Sequence, residues 1–250
     1  MNKEVESSIR NNVYSDRYKI LAHDVDARFG LKPSAFFRYL QETANHQMRD
    51  CKPTYEELFA QHKAFILSRM CLEVYETPTQ YDEITVNTWP CVDKGVLFNR
   101  CYQMIKDGRV IAESLSLWAL VDTEKETFIP YSAELFENFV HSDKLEGFNL
   151  RFRIPREGYE KKGTRKILYN DTDINGHMNN TVYPDILSGY CDVITEKRVT
   201  SVSIAYLSEA KLGDEMDIYV ASTEENGKSV CYVRSMIGEK VNVEAKFIFE

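Results

Sequence analysis

Three side chains able to do chemistry stand two residues apart: Asp173, Asn175 and His177, inside the run Asp171-Thr-Asp-Ile-Asn-Gly-His-Met-Asn-Asn180. Eight of those ten residues are polar or glycine, so the run adds little to a core and suits a loop. A carboxylate, an amide and an imidazole held together can orient water, donate to a developing oxyanion and move a proton. Imidazole is the side chain whose ordinary titration lies nearest neutral pH. The same residues also suit backbone work. Asp173 and Asn175 are good Asx-turn residues, and Asn179 or Asn180 could cap a helix.

A helix is expected next. From Asn180 to Tyr190, Val182, Ile186, Leu187 and Tyr190 share one face, and Pro184 falls in the first turn. The backbone N–H groups at its start would offer partial positive charge to an oxyanion. Pro33 to Met48 reads as a longer helix, with Phe36, Leu40, Thr43, Ala44 and Gln47 on one side. Shorter helices are expected at Thr54–Gln61 and Ser132–Phe139. Most of the remaining chain reads as strands: Phe65–Val74, Glu83–Trp89, Leu97–Lys106, Val110–Val121, Val202–Leu207, Met216–Ser222, Ser229–Ile237 and Val241–Phe249. Asp107-Gly108 and Asn226-Gly227 mark hairpin turns.

The order strand, helix, strands occurs twice, and the two halves align. Asp24-Val-Asp-Ala-Arg28-Phe-Gly30 matches the polar loop at an offset of 147; Asp82-Glu83-Ile84 matches Asp214-Glu215-Met216 at 132; Gly108–Glu113 matches Gly238–Val243 at 130. The falling offset implies an insertion in the first half, near Lys52–Lys63. Each half could fold its sheet over its own helix, and the two sheets could join edge to edge, protecting two edges.

Composition sets the limits. At 250 residues, 43% apolar and 28% charged, the chain is an ordinary globular protein. A net charge of −8 disfavours nucleic acid as a partner. No window approaches the roughly 18 apolar residues of a membrane span. Met1–Ser8 carries charge where a signal peptide has its apolar run, which reads as a cytoplasmic protein. Six scattered cysteines form no C-x-x-C pair, so neither a metal site nor a disulfide framework is expected. Against the acidic background, residues 151–166 hold Arg151, Arg153, Arg156, Lys161, Lys162, Arg165 and Lys166 against Glu157 and Glu160. That segment is either a solvated linker or a docking patch for an anionic carrier.

At this point the residues resemble a family. Asp173-x-Asn175-x-His177-x-Asn179-Asn180-x-x-Tyr183 followed by Tyr206-Leu-Ser-Glu209-Ala210 is similar to the signature of the acyl-acyl carrier protein thioesterases. Phe65-Ile-Leu-Ser-Arg69-Met70, Val86-Asn-Thr-Trp89 and Ser114-Leu-Ser-Leu-Trp118 agree with it. The resemblance covers about residues 15–250. It implies an α+β double hotdog, tandem repeats each with an antiparallel sheet wrapped around a central helix. It also implies hydrolysis of the thioester between a fatty acyl group and the phosphopantetheine arm of acyl carrier protein, with no cofactor. The catalytic positions carried over are Asp173, Asn175, His177 and Glu209. Some members have Cys after the glutamate; Ala210 here points to an activated water rather than a thiol nucleophile.

The expected organisation is an N-terminal repeat over 1–145, a basic linker over 146–164 and a catalytic repeat over 165–250. The first half has Arg28, Gly30 and Thr77 where the second has Asn175, His177 and Glu209. It is therefore expected to hold the acyl chain, on Phe36, Phe37, Tyr39 and Leu40, with Asn179 and Asn180 touching substrate from the other side. Core packing explains the aromatic set equally well. The alternatives are an acyl-coenzyme A thioesterase and a non-catalytic acyl-binding protein of the same fold. A monomer or a homodimer would both serve.

Overall fold

The computed structural model describes residues 10–91, 95–130, 132 and 137–250. In chain order the elements are β1 (Tyr14–Lys19), α1 (Pro33–Cys51), α2 (Tyr55–Phe59), β2 (Lys63–Val74), β3 (Glu83–Pro90), β4 (Leu97–Lys106), β5 (Arg109–Asp122) and β6 (Thr127–Ile129). The second half adds β7 (Glu160–Lys166), α3 (Tyr183–Ser188), β8 (Val199–Tyr206), β9 (Glu215–Glu225), β10 (Lys228–Ile237) and β11 (Lys240–Phe249). Short 3₁₀ turns at Ala22–Asp24 and Tyr169–Asp171 precede the two polar loops. The expected helix at Ser132–Phe139 lies mostly outside the described residues.

All the strands join one antiparallel sheet in the order β1-β3-β4-β5-β2-β8-β11-β10-β9-β7, with β6 beside β5. The order within each half is the same, so β2 and β8 form a seam relating two copies. They pair from Arg69 with Ala205 to Glu73 with Ser201. The hairpin signals act as expected: Asp107 and Gly108 (φ 49° and 72°) and Asn226 and Gly227 (52° and 77°) take the two positive φ values a type I′ turn requires.

The repeat holds hydrogen bond for hydrogen bond. Asp26 N donates to the Gly30 carbonyl, and Asp173 N to that of His177. Leu31 N donates to Pro78 O, and Met178 N to Ala210 O. Ile20 N donates to Asp82 O, and Ile167 N to Asp214 O. Both offsets read from sequence, 147 and 132, recur in these pairs. Outside the loop the halves diverge. α1 runs 19 residues, whereas α3 has six and begins at Tyr183 with Val182 as its N-cap. The helix expected from Asn180 is thus shorter, because the Asn179 side chain bonds Thr181 N and Oγ1 and holds a turn there instead.

Nor does each half keep its own core. One cluster joins Phe36, Phe37 and Leu40 of α1, Met70 and Leu72 of β2, Val202 and Ile204 of β8, and Phe247 and Phe249 of β11. The link between halves crosses the other face of the sheet. Leu145, Phe148 and Leu150 pack on Trp89, Cys101 and Leu115, and then Ile154 and Tyr159 pack on Val230 and Tyr232. Residues 160–164, expected in the linker, are already part of edge strand β7, paired with β9.

Candidate active site

The polar loop is closed by its own backbone. Asp173 Oδ1 accepts from Asn175 N at 2.8 Å, an Asx turn, while Asp173 N donates to His177 O at 2.9 Å. Gly176, with φ 74°, takes the left-handed position between them. His177 then bridges to Lys211 beyond β8. This places the His177 imidazole beside a carboxylate remote in sequence: Nε2 lies 3.1 Å from Glu209 Oε2. Both side chains are partly exposed, at 30% and 55%. Ala210 is buried and its carbonyl holds Met178 N, so it ties the glutamate's strand end to the loop.

Asn175 has a partner from the other half. Tyr55, on α2, donates its hydroxyl to Asn175 Oδ1 at 2.9 Å. α2 lies within the insertion that the repeat alignment located. Its start is fixed by a capping box, in which Thr54 Oγ1 accepts from Glu57 N and Glu57 Oε2 accepts from Thr54 N. Leu58 buries its inner face. Burial raises the Tyr55 phenol pKa, so the group stays a donor at neutral pH.

Tyr55 also lines a mostly apolar cleft of about 760 Å³ including its open mouth. The other walls include Ala44 and Met48 of α1, Phe65 of β2, Phe98 and Arg100 of β4, and Trp118 of β5. The cleft lies in the first half, as expected, but on other residues. Phe37 and Leu40 point into the shared core, Phe36 lines a separate small recess, and Tyr39 donates to Asp24. Gln41, Ala44, Asn45 and Met48, on an adjacent stripe of the same helix, face the cleft.

The remaining expected residues scatter. Asn179 shapes its turn and the Asn180 carbonyl accepts from Tyr206 Oη. At the start of the short α3, Pro184 has no N–H and Asp185 N donates to Ser34 Oγ of the other half. The oxyanion role expected of this helix start therefore has no support. The basic segment divides. Lys161 pairs with Asp217, Lys162 with Glu160 and Asp192, and Arg165 with Asp171. Arg151, Arg153 and Arg156 are exposed along the linker, and Lys166 is exposed at the end of β7. Among the described residues no group of His, Cys, Asp and Glu could hold a metal. No described helix is long and apolar enough to cross a membrane.

The acyl-ACP thioesterase N-terminal domain matches residues 11–139, and the acyl-ACP thioesterase C-terminal domain matches residues 156–250. The chain belongs to the acyl-ACP thioesterase family. Its fold, the double hotdog, is shared with an acyl-ACP thioesterase from Bacteroides thetaiotaomicron (TM-score 0.81, 23% identity, 94% of this chain and 97% of that one). It is also shared with the 12:0-ACP thioesterase of Umbellularia californica (TM-score 0.82, 15% identity, 95% and 94%). Among curated sequences, the palmitoyl-acyl carrier protein thioesterase of Arabidopsis thaliana is 22% identical over 215 residues, 79% of this chain and 52% of its own length. An acyl-[acyl-carrier-protein] hydrolase of Cuphea viscosissima is 25% identical over 177 residues, 65% and 42%. The chain spans about half the length of these plant relatives.

Sequence reading missed Tyr55 as well as the cleft-lining stripe Gln41, Ala44, Asn45 and Met48. The only signal for Tyr55 was its place in the insertion.

Proposed function

We propose that this protein hydrolyses the thioester of a fatty acyl group on acyl carrier protein and releases the free acid through an activated water. The observation that carries this is the His177–Glu209 pair, 3.1 Å apart, beside a loop whose Asn175 is bonded to the rim of an apolar cleft. The division of labour expected from the repeat follows. Residues 1–145 hold the acyl chain in the cleft, and residues 165–250 supply the chemistry.

The steps fall to named atoms. Glu209 accepts the His177 Nε2–H, which leaves the lone pair on Nδ1. Nδ1 takes a proton from water, and the resulting hydroxide attacks the thioester carbonyl carbon. Negative charge moves to the carbonyl oxygen, where the Asn175 amide N–H₂ can donate to it. Collapse expels the pantetheine thiolate, which recovers the proton from Nδ1. Asp173 keeps the loop folded. Ala210 leaves no thiol beside the glutamate, which supports water as the nucleophile. Within residues 151–166, Arg151, Arg153, Arg156 and Lys166 are the basic side chains outside the ion pairs of Lys161, Lys162 and Arg165, and they could meet an acidic carrier.

Release of free fatty acid from a mixed acyl-carrier-protein pool, read by gas chromatography, tests this. His177→Ala and Glu209→Gln should each lower kcat by about 10²–10⁴-fold, the usual worth of a positioned acid–base group. Full turnover in both variants would remove these residues from the mechanism. Matched acyl-coenzyme A substrates are expected to turn over less well; the reverse order would favour the coenzyme A reading. Ala44→Phe, which narrows the cleft, should shift the released acids to shorter chains.

A further inference from the structure

We infer that Tyr55 is a positioning residue: its hydroxyl fixes the Asn175 amide so that the N–H₂ group, rather than the oxygen, faces the thioester. This rests on the thioesterase reading above and assigns a residue to the same site.

A carboxamide has one accepting end and one donating end, and its terminal torsion is soft. Without a partner, the exposed Asn175 side chain would present either end to the substrate. Only the donor stabilises an oxyanion; the carbonyl end would repel it. The loop's own bonds fix the Asn175 backbone, through Asp173 Oδ1, and leave its side chain unheld. Tyr55 supplies the missing constraint by donating to Oδ1, so Nδ2 is turned away from the phenol. Burial of the phenol raises its pKa and preserves it as a donor.

The constraint comes from the other repeat. Positions 120 apart in sequence meet only because the insertion places α2 beside the second half's loop. The N-terminal loop has no need of it, since Arg28 stands at the Asn175 position there. The Tyr55 ring also forms part of the cleft wall. One side chain therefore touches both the acyl chain and the group that polarises its carbonyl.

A double-mutant cycle on the full chain decides the matter. Tyr55→Phe keeps the ring and removes the hydroxyl. It should lower kcat by about tenfold, the upper worth of one neutral hydrogen bond, with KM little changed and thermal unfolding unchanged. Asn175→Ala should lower kcat further. In the Asn175→Ala background, Tyr55→Phe should have no additional effect, because nothing remains to be oriented. Independent, multiplicative losses would overturn the proposal, as would Tyr55→Phe activity equal to wild type. A KM effect alone would show that Tyr55 only lines the cleft, which also overturns it. If the wild type hydrolyses no acyl thioester, the functional reading fails separately. The same cycle, read by calorimetry as affinity for a fatty acyl-pantetheine amide, which keeps the carbonyl and resists hydrolysis, then tests the Tyr55–Asn175 coupling, and its absence overturns the proposal.

Discussion

At the scale of single residues, the two copies of the polar loop show how one site was kept and the other closed. Gly30 occupies the position of His177, and the reason is spatial. A Cβ built on Gly30 would lie 1.7 Å from Arg198 Nη1 and 3.0 Å from the Thr77 methyl group. The Arg198 guanidinium fills the volume that an imidazole would need and donates to the Arg28 carbonyl at 2.9 Å. Arg28, in turn, donates to the carbonyls of Ile194 and Lys197. Two arginines thus tie the first loop to the second half where the second loop carries amide and imidazole. Gly30→Ala should push Arg198 out and cost about 1 kcal/mol through its lost hydrogen bond, measured by urea unfolding. The His177–Glu209 chemistry should be unaffected. In an Arg198→Ala background the same substitution should cost much less, since the clash is gone. An equal cost in both backgrounds would mean that Arg198 is not what excludes a side chain at this position.

At the scale of elements, the seam between β2 and β8 carries a half-buried acid, Glu73. Glu73 accepts from Ser201 Oγ at 2.7 Å across the junction. Burial raises its carboxyl pKa above the ordinary value, against the partial offset of the Ser201 bond and of Lys228 and Lys246. The sign follows directly. Below the unfolded carboxyl pKa of about 4.3 both states are protonated and burial costs nothing. As pH rises through the raised folded value, the seam must hold a carboxylate and stability falls. Glu73→Gln keeps an acceptor for Ser201 and removes the charge. The variant should be at least as stable as wild type at neutral pH, with a flatter dependence of urea midpoint on pH between the unfolded value and the raised folded value. A steeper dependence would contradict the burial argument. Elements also explain what could be read in advance. The inner strands alternate or run apolar, so β2–β5 and β8–β11 were legible to within a few residues. The edge strands β1 and β7 were not. Their sequences, Tyr14-Ser-Asp-Arg-Tyr-Lys and Glu160-Lys-Lys-Gly-Thr-Arg-Lys, are polar because an exposed edge is protected by charge. The acid, amide and imidazole of the site were visible as a motif. The Tyr55 contact was not, since a tyrosine in a short polar helix carries no periodic or spacing signal.

At the scale of the whole molecule, the duplication describes ancestry better than it describes folding. Two repeats with the same strand order would suggest two units. The apolar core denies that, because α1 residues from the first half share one cluster with β8 and β11 of the second. Arg28 and Arg198 bond across the halves, and Ser34 and Asp185 exchange bonds between α1 and α3. The linker adds a strap along the other face of the sheet, anchored on both halves through Leu145, Phe148, Ile154 and Tyr159. Parting the halves would uncover that core and two apolar strand edges at once, which is costly and invites aggregation. The chain should therefore unfold in one transition. Calorimetry of the full chain should give a single peak whose van't Hoff and calorimetric enthalpies agree. Residues 1–145 and 165–250 expressed separately should be insoluble or unstructured by circular dichroism. Two resolved transitions, or a folded isolated half, would show that each repeat carries a sufficient core. The outcome bears on the site as well. Asn175 sits on one half and Tyr55 on the other, so their 2.9 Å contact survives only while the halves behave as one body.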